Sequence, residues 1–503
     1  QDANIGSCLS AAKESSHRML FNSYIFIFLF LPVTVAVFHI LRHVGLARAA
    51  IFSLVAASFV FYAWWSFKYL FLLSGLMLMD FFIARQIEKY RNTKRSIAKL
   101  YLVLGLVINL AALGFYKYAN FFVDNLNALT GGTLFLATIV LPIGISFFTF
   151  QKVAFLVDLY QNKIRKFNAL DYALFVTFFP QLIAGPIVHH SEVIPQFEKL
   201  GKVLPRTVIA GITIFIIGLA KKVLLADTVA RYASPHFDAV VTGVHLEFCT
   251  AWSAVLAYTA QIYFDFSAYS DMAIGIGLLF GIHLPVNFDS PYKSKSIIEF
   301  WRRWHITLSR FLRDYLYIPL GGNRKGKARR YVNLLLTMLL GGIWHGAGWT
   351  FLIWGALHGF YLMVNHFWHS LKLTSDSILF RLFSWAVTFM AVIVAWVFFR
   401  AANLDTALDM LMSMAGGYGL GSLSASALFV PAGLLLLAFF MPNTQQIMDY
   451  KPPAGTYGAY MAQKIPALMQ WKPLPVWALF IGALFALCLM YMTQVSEFIY
   501  FQF

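Results

Sequence analysis

The stretch LLLTMLLGGIWHGAGWTFLIWGALHG, at residues 334–359, contains two histidines but no Asp, Glu, Lys or Arg. Apolar runs of this kind recur along the 503-residue chain, which is 60% hydrophobic and only 12% charged. Soluble domains carry about 25% charged residues, so this chain has too few charges to cover a water-facing surface. The composition predicts a polytopic α-helical membrane protein and excludes a soluble or a disordered one. A transmembrane barrel would show alternating segments of about ten residues, and none stands out.

Apolar runs of different lengths divide the chain. Some are shorter than the ~20 residues that cross hydrocarbon as a helix, and others are too long for one crossing. We therefore expect an all-α fold with about 11–13 transmembrane or re-entrant helices. The runs lie at 22–40, 49–66, 68–84, 100–117, 133–157, 171–190, 206–226, 250–282, 331–343, 349–370, 380–399, 427–442 and 475–495.

Basic residues are concentrated between these runs. The chain has 39 Lys and Arg against 22 Asp and Glu, a net charge of +17. This distribution is typical of the positive-inside rule, whereas a nucleic-acid-binding protein would carry a basic stripe on a soluble face. Loops 41–48 and 84–99 are both basic and are separated by two spans, so both are predicted to be cytoplasmic and the N-terminus extracytoplasmic.

The first eighteen residues differ from the rest of the chain. They are polar and lack the apolar core of a signal peptide. We predict a disordered extension over 1–18, followed by a single transmembrane domain over 19–503.

The most basic segment is 287–333. Its part 293–330 holds eleven Lys and Arg but only two acidic residues. Apolar residues recur at three- and four-residue steps over 297–317, which predicts a cytoplasmic or interfacial amphipathic helix. Its basic face can grip lipid headgroups and set topology, or hold a phosphate-bearing substrate through arginines. A P-loop motif is missing, so a nucleotide site of that type is not supported.

Two carboxylates lie within the apolar run 250–282. Asp265 and Asp271 are six residues apart and therefore do not share one helix face. One interpretation is a hydrogen-bonded network with neighbouring Tyr and Ser side chains. The other is that one carboxylate orients a catalytic group or lines a polar tunnel.

Three histidines lie in or beside these segments: His305, His345 and His358. A histidine in an apolar helix can be structural, but a buried neutral imidazole next to a basic segment also suits a general base in acyl transfer. Small residues at 341–342 and 346–348 would let backbones approach closely beside His345. The histidines have neither HExxH spacing nor a Cys partner, so we predict no metal site.

Long motifs resemble the membrane-bound O-acyltransferase family, and within it the bacterial branch that acetylates polysaccharides such as alginate. The resemblance covers essentially everything from residue 19 onward. Its motifs are MLFNSYIFIFLFLP (19–32), LPIGISFFTFQ (141–151), FPQLIAGPIVHHSEVIPQF (179–197), YTAQIYFDFSAYSDMAIGIGLLFGI (258–282), FWRRWHITLSRFLRDYLYIPLGGNR (300–324), the opening stretch 334–359 and EFIYFQF (497–503).

The resemblance implies a ring of helices around a central tunnel in the bacterial inner membrane. It also implies that His345, in the WHG motif, is the catalytic histidine and that His305 occupies the family's second motif position. Acetyl would pass from cytoplasmic acetyl-CoA, a donor substrate rather than a bound cofactor, to an exported, alginate-like polysaccharide, with an extracytoplasmic SGNH-type partner. We expect Arg302, Arg303, Arg313, Asp265 and Trp344 to contact donor or substrate.

Two other functions stay open at this point. A related family moves D-alanine onto teichoic acids and shares the WHG histidine. A non-enzymatic transporter of an anionic glycan would also have many spans, basic loops and buried Asp residues. It would not explain the histidines beside the basic segment, and the chain has no repeated halves of the kind found in many transporters.

Overall fold

The fold was obtained as a computed structural model, which describes residues 19–372, 375–422, 424–453, 465–492 and 498–499. The predicted extension over 1–18 lies outside the described residues. The described parts of the chain contain α-helices, with short 3₁₀ and π turns, and no strand. The predicted all-α class is confirmed.

The helices, numbered in chain order, are α1 (Phe26–His43), α2 (Ala47–Trp65), α3 (Phe67–Tyr90), α4 (Arg95–Thr130), α5 (Ile145–Tyr160), α6 (Ala169–Thr177), α7 (Phe179–Leu182), α8 (His190–Glu198), α9 (Pro205–Val241), α10 (Phe248–Leu279), α11 (Ile297–Arg303), α12 (Ile306–Leu312), α13 (Gly326–His345), α14 (Trp349–Ser370), α15 (Ile378–Arg400), α16 (Leu404–Met414), α17 (Ala425–Phe440), α18 (Thr444–Ile447) and α19 (Pro475–Tyr491). π turns open α1, interrupt α9 at Lys221–Ala226 and follow α12 at Arg313–Tyr317.

Six described helices are long and apolar enough to cross a membrane: α1, α2, α3, α4, α9 and α15. Large apolar side chains on them, such as Phe71 and Phe82, are exposed in the isolated chain. Lipid would cover such side chains, since helices that satisfy their own backbone hydrogen bonds are stable in hydrocarbon. The run 133–157 is not one span, because the helix begins only at Ile145.

Helix α10 is the central helix and is buried over nearly its whole length. It packs against α9, α15 and α17. At the α9–α10 crossing, a Cβ on Gly211 would lie 2.7 Å from the Gly275 carbonyl oxygen. Only glycine at both positions allows this separation of the backbones, which is typical of helix pairs in membranes.

Helices α13 and α14 form the second close pair, with the histidine motif at their junction. A Cβ on Gly342 would lie 2.3 Å from the Phe351 carbonyl oxygen, and one on Gly355 would lie 2.4 Å from that of Met338. The predicted close approach of backbones beside His345 is therefore present.

The predicted amphipathic helix over 297–317 is divided into three pieces. Helix α11 ends at Arg303, α12 begins at Ile306, and a π turn follows. The break falls at His305, whose backbone is left-handed, with φ 43° and ψ 54°. Both short helices bury apolar residues, so the apolar periodicity of the sequence continues across the break. The sequence pattern alone therefore does not reveal the break.

Candidate active site

His345 is the last residue of α13 and lies in an aromatic cage. Its ring centroid is 4.8 Å from that of Trp344, 4.9 Å from Trp354 and 5.2 Å from Phe399. The residue is 4% exposed. After it the chain turns through Gly346, where a Cβ would lie 2.0 Å from the Phe351 ring. The surroundings exclude bulk water from an imidazole held at a helix end, an arrangement that suits a general base.

A lysine from α4 holds this helix end. The Lys117 Nζ atom donates hydrogen bonds to the carbonyl oxygens of Trp344, at 2.6 Å, and His345, at 2.9 Å. Terminal helix carbonyls have no partner within the helix, and a cation there also interacts favourably with the helix dipole. Sequence reasoning missed Lys117, although a charged residue inside the apolar run 100–117 was a signal of a functional position.

His305 also lies near Trp344. Its ring centroid is 6.2 Å from that of Trp344 and 4.8 Å from that of Phe266. His305 is fully buried. The structure thus brings His305, Trp344 and His345 together, although forty residues separate the two histidines in the chain.

The third histidine, His358 on α14, accepts a hydrogen bond at its Nδ1 atom from the indole nitrogen of Trp301, at 3.2 Å. Its ring also packs 4.8 Å from that of Trp354, which contacts His345. His358 therefore supports the aromatic cage by joining α11 to α14.

A cavity of about 560 Å³ lies beside α11, α12, the middle of α13 and the second half of α14. Arg302, Arg310 and Arg313 line it together with apolar residues such as Trp301 and Met338. We call it the basic cavity. Its mixture of arginines and apolar surface can accommodate a ligand that carries both phosphates and an organic body.

A second cavity, of about 640 Å³, lies between α4 and the turn after His345. Its lining includes Lys117, Asn120 and Asp124 of α4 and Gly346 and Ala347 of the turn. We call it the polar cavity. Gly346, the residue directly after His345, lines the polar cavity, and Met338, earlier on α13, lines the basic cavity, so both cavities border the helix that carries His345.

The predicted contact residues fall into two groups. Arg302 and Arg313 line the basic cavity, and Arg313 also pairs with Asp314 at 2.7 Å. Arg303 is not among the lining residues of the described cavities; it pairs with Glu299 at 3.0 Å and with Asp289 at 3.4 Å. Its partners place Arg303 in the framework that holds α11.

Arg310 was not selected from the sequence, yet it is buried and lines the basic cavity. Both of its terminal nitrogens donate to the Glu192 carboxylate of α8. This bidentate pair fixes the guanidinium at the wall of the cavity.

The two aspartates of α10 form ion pairs with the π turn of α9. Asp265 pairs with Lys222 at 2.7 Å, and Asp271 pairs with Lys221 at 2.8 Å. Asp271 also accepts hydrogen bonds from Thr444 and Gln445. The predicted Tyr and Ser network is therefore wrong as to partners: the neutralising groups are lysines about fifty residues earlier, because a buried carboxylate needs a counter-charge.

Within the described residues, no group of three or more His, Cys, Asp or Glu side chains could hold a metal ion. The assembled site consists of a buried imidazole at the end of a helix that borders a basic and a polar cavity. A buried base beside cavities of this kind is typical of a transferase site.

Comparison with known proteins supports this class. The model of the membrane-bound O-acyltransferase family matches residues 96–404. The chain belongs to this family and is an acyltransferase. The family and the enzyme class predicted from the sequence motifs are confirmed.

Individual relatives cover most of the chain. It is 46% identical over 441 residues to the peptidoglycan O-acetyltransferase of Helicobacter pylori, covering 81% of this chain and 82% of the relative. It is 42% identical over 433 residues to the probable alginate O-acetylase AlgI of Pseudomonas aeruginosa, covering 84% and 80%. A teichoic acid D-alanyltransferase of Streptococcus thermophilus is 29% identical over 246 residues, covering 46% of this chain and 58% of the relative.

Proposed function

We propose that this protein takes acetyl from cytoplasmic acetyl-CoA and passes it across the bacterial inner membrane for O-acetylation of an exported glycan. The observation that carries the proposal is the buried His345 at the end of α13, a helix that borders both the basic and the polar cavity. The glycan class includes the acceptors named for the relatives, peptidoglycan and alginate. The acceptor would be an alginate-like exopolysaccharide or peptidoglycan, and identities of 42% and 46% to the two relatives do not separate these acceptors.

The basic cavity is the proposed donor site. The phosphates of coenzyme A would interact with Arg302 and Arg313, while Arg310 stays paired with Glu192. Apolar residues such as Trp301 would contact the pantetheine chain. The Trp344 ring lies near the rings of both His305 and His345. It would pack beside the thioester of the donor and would not contact the phosphates.

The polar cavity is the proposed exit. Helix α4 starts at Arg95, within the basic stretch 84–99 that we assign to the cytoplasm. Lys117 is 22 residues further along, about 33 Å at 1.5 Å per residue. That distance matches the hydrocarbon thickness of about 30 Å, so the polar cavity would open towards the extracytoplasmic side, where the N-terminus also lies.

Acyl transfer at this position needs a base and a leaving group. The acceptor hydroxyl would lose its proton to the His345 imidazole as its oxygen attacks the thioester carbonyl carbon. The bond between this carbon and sulfur then breaks, and the proton on His345 passes to the coenzyme A thiolate. The acceptor hydroxyl would belong to an extracytoplasmic SGNH-type partner. A glycan hydroxyl would then attack the carbonyl carbon of the partner's acetyl ester, which forms the glycan ester and regenerates the partner's hydroxyl.

D-alanyl transfer to teichoic acid is the second candidate. The lower identity to the D-alanyltransferase, 29% over 46% of this chain, favours acetyl transfer. A non-enzymatic transporter is not supported, because the chain belongs to an acyltransferase family.

The test uses purified protein in lipid nanodiscs with radiolabelled acetyl-CoA, soluble oligosaccharides and the partner supplied. We expect coenzyme A release and labelled product from the wild type and neither from His345→Ala. D-alanyl carrier protein as donor, with teichoic acid as acceptor, tests the second candidate. Labelled product only from that pair would overturn the acetyl proposal.

A further inference from the structure

A buried asparagine contacts His305 from the non-helical segment between α10 and α11. Asn287 is fully buried, and its backbone carbonyl accepts a hydrogen bond from the Ile306 N–H at 3.0 Å. This bond ties the segment to the first residue of α12. Asn287 thus lies directly against the helix break at which His305 is placed.

The side-chain oxygen of Asn287 is a hydrogen-bond acceptor for three groups. It lies 2.6 Å from the Thr307 hydroxyl, 3.3 Å from the Thr307 backbone nitrogen and 3.4 Å from Nδ1 of His305. The backbone N–H of Thr307 can only donate a hydrogen bond. The side-chain oxygen of Asn287, and not its side-chain nitrogen, must therefore face Thr307 and His305.

The same oxygen determines the tautomer of His305. An unprotonated Nδ1 would place its lone pair against those of the amide oxygen, so Nδ1 must carry the hydrogen. In a neutral imidazole the other nitrogen is then the acceptor. Nε2 of His305 is therefore the atom that carries the lone pair.

The backbone of His305 is strained, which indicates that the position of its ring matters for function. A φ of 43° is rarely adopted by residues other than glycine, and strained conformations of this kind cluster at functional sites. The three hydrogen bonds that Asn287 accepts from Ile306 and Thr307, the first residues of α12, hold the break in place.

We propose that Asn287 is a positioning residue that holds His305 as its Nδ1–H tautomer, with Nε2 as the proton acceptor. The proposal rests on the proposed function and adds to it a role for His305 in proton transfer beside His345. Asn287 acts through His305 and not on the substrate directly.

The first test measures the tautomer without turnover. Protein labelled with ¹⁵N-histidine is studied by NMR in detergent, and the His305 signals are identified by their loss in His305→Ala. We expect the Nδ1–H form in the wild type and in Asn287→Asp, which keeps the acceptor oxygen. Asn287→Leu, of similar size but without the acceptor, should show a mixture with the Nε2–H form. An unchanged tautomer in Asn287→Leu would overturn the proposal.

Thr307→Val is the matched control. It removes the 2.6 Å hydrogen bond to Asn287 and the acceptor for the Ile187 N–H, at 3.0 Å, but leaves the contact between Asn287 and His305. We expect lower thermal stability with the wild-type tautomer. If this variant changes the tautomer as much as Asn287→Leu does, Asn287 is only a brace for the helix break and the proposal is wrong.

The second test is a double-mutant cycle on acetyl transfer. Asn287→Leu should lower kcat at least tenfold, and adding it to His305→Ala should cause no further loss. If the fall in kcat of the double variant equals the product of the two single falls, Asn287 acts independently of His305 and the proposal is wrong. Since the NMR measurement needs no substrate, an inactive wild type would count against the proposed function and leave the test of Asn287 intact.

Discussion

Replacing Lys117 by Met removes the two hydrogen bonds that hold the end of α13, while the side chain stays similar in length. Leaving a buried carbonyl oxygen without its hydrogen bond costs about 1–3 kcal/mol, and Lys117 donates to two such oxygens, at 2.6 and 2.9 Å. Lys117 lines the polar cavity, so water there can replace part of the lost donors. We therefore expect the turn to be destabilised by about 2–3 kcal/mol.

A loss of about 1.36 kcal/mol in the transition state lowers the rate tenfold. If the transition state loses the full ~2–3 kcal/mol, kcat/KM for acetyl transfer falls about 30- to 150-fold. Initial rates with radiolabelled acetyl-CoA in nanodiscs measure it, alongside thermal unfolding. Lys117→Arg keeps the charge and the donors and should retain more activity. Lys99→Met, on an exposed turn of the same helix, is the matched control and should behave as the wild type. A Lys117→Met rate within twofold of the wild type would refute the reasoning.

Three further predictions concern the histidines and the basic cavity. His345→Ala should abolish acetyl transfer, since loss of a general base typically lowers rates about 10²- to 10⁴-fold; near-normal glycan acetylation in cells at normal protein abundance would contradict this. His305→Ala should impair turnover without abolishing it, and a raised KM for acetyl-CoA at unchanged kcat would assign the residue to donor positioning instead of proton transfer. Arg302→Glu combined with Arg313→Glu should weaken acetyl-CoA binding, most strongly at low salt. Arg303→Gln is its control, and calorimetric titration giving equal affinities for all three proteins would remove the basic cavity from the donor site.

The fold class could be predicted from the sequence because it depends on local composition. A charged fraction of 12% and long apolar runs require lipid around the helices. An imidazole inside an uncharged stretch is expected to be buried, which made both His345 and His358 candidates, and the WHG motif of the family then selected His345. The basic segment could be predicted for the same reason, since eleven cationic side chains in 293–330 need water or anions.

Pairings between distant elements were decided only by the tertiary structure. The partners of Asp265 and Asp271 are lysines of another helix, and Lys117 binds carbonyl groups more than 220 residues away in the chain. Periodicity reports which face of a helix is apolar, but not which helix covers it or where a helix breaks. The positions of Lys117 and of Asn287 beside the histidines therefore follow from packing, because a buried polar group is satisfied by whichever partner the fold brings within hydrogen-bond distance.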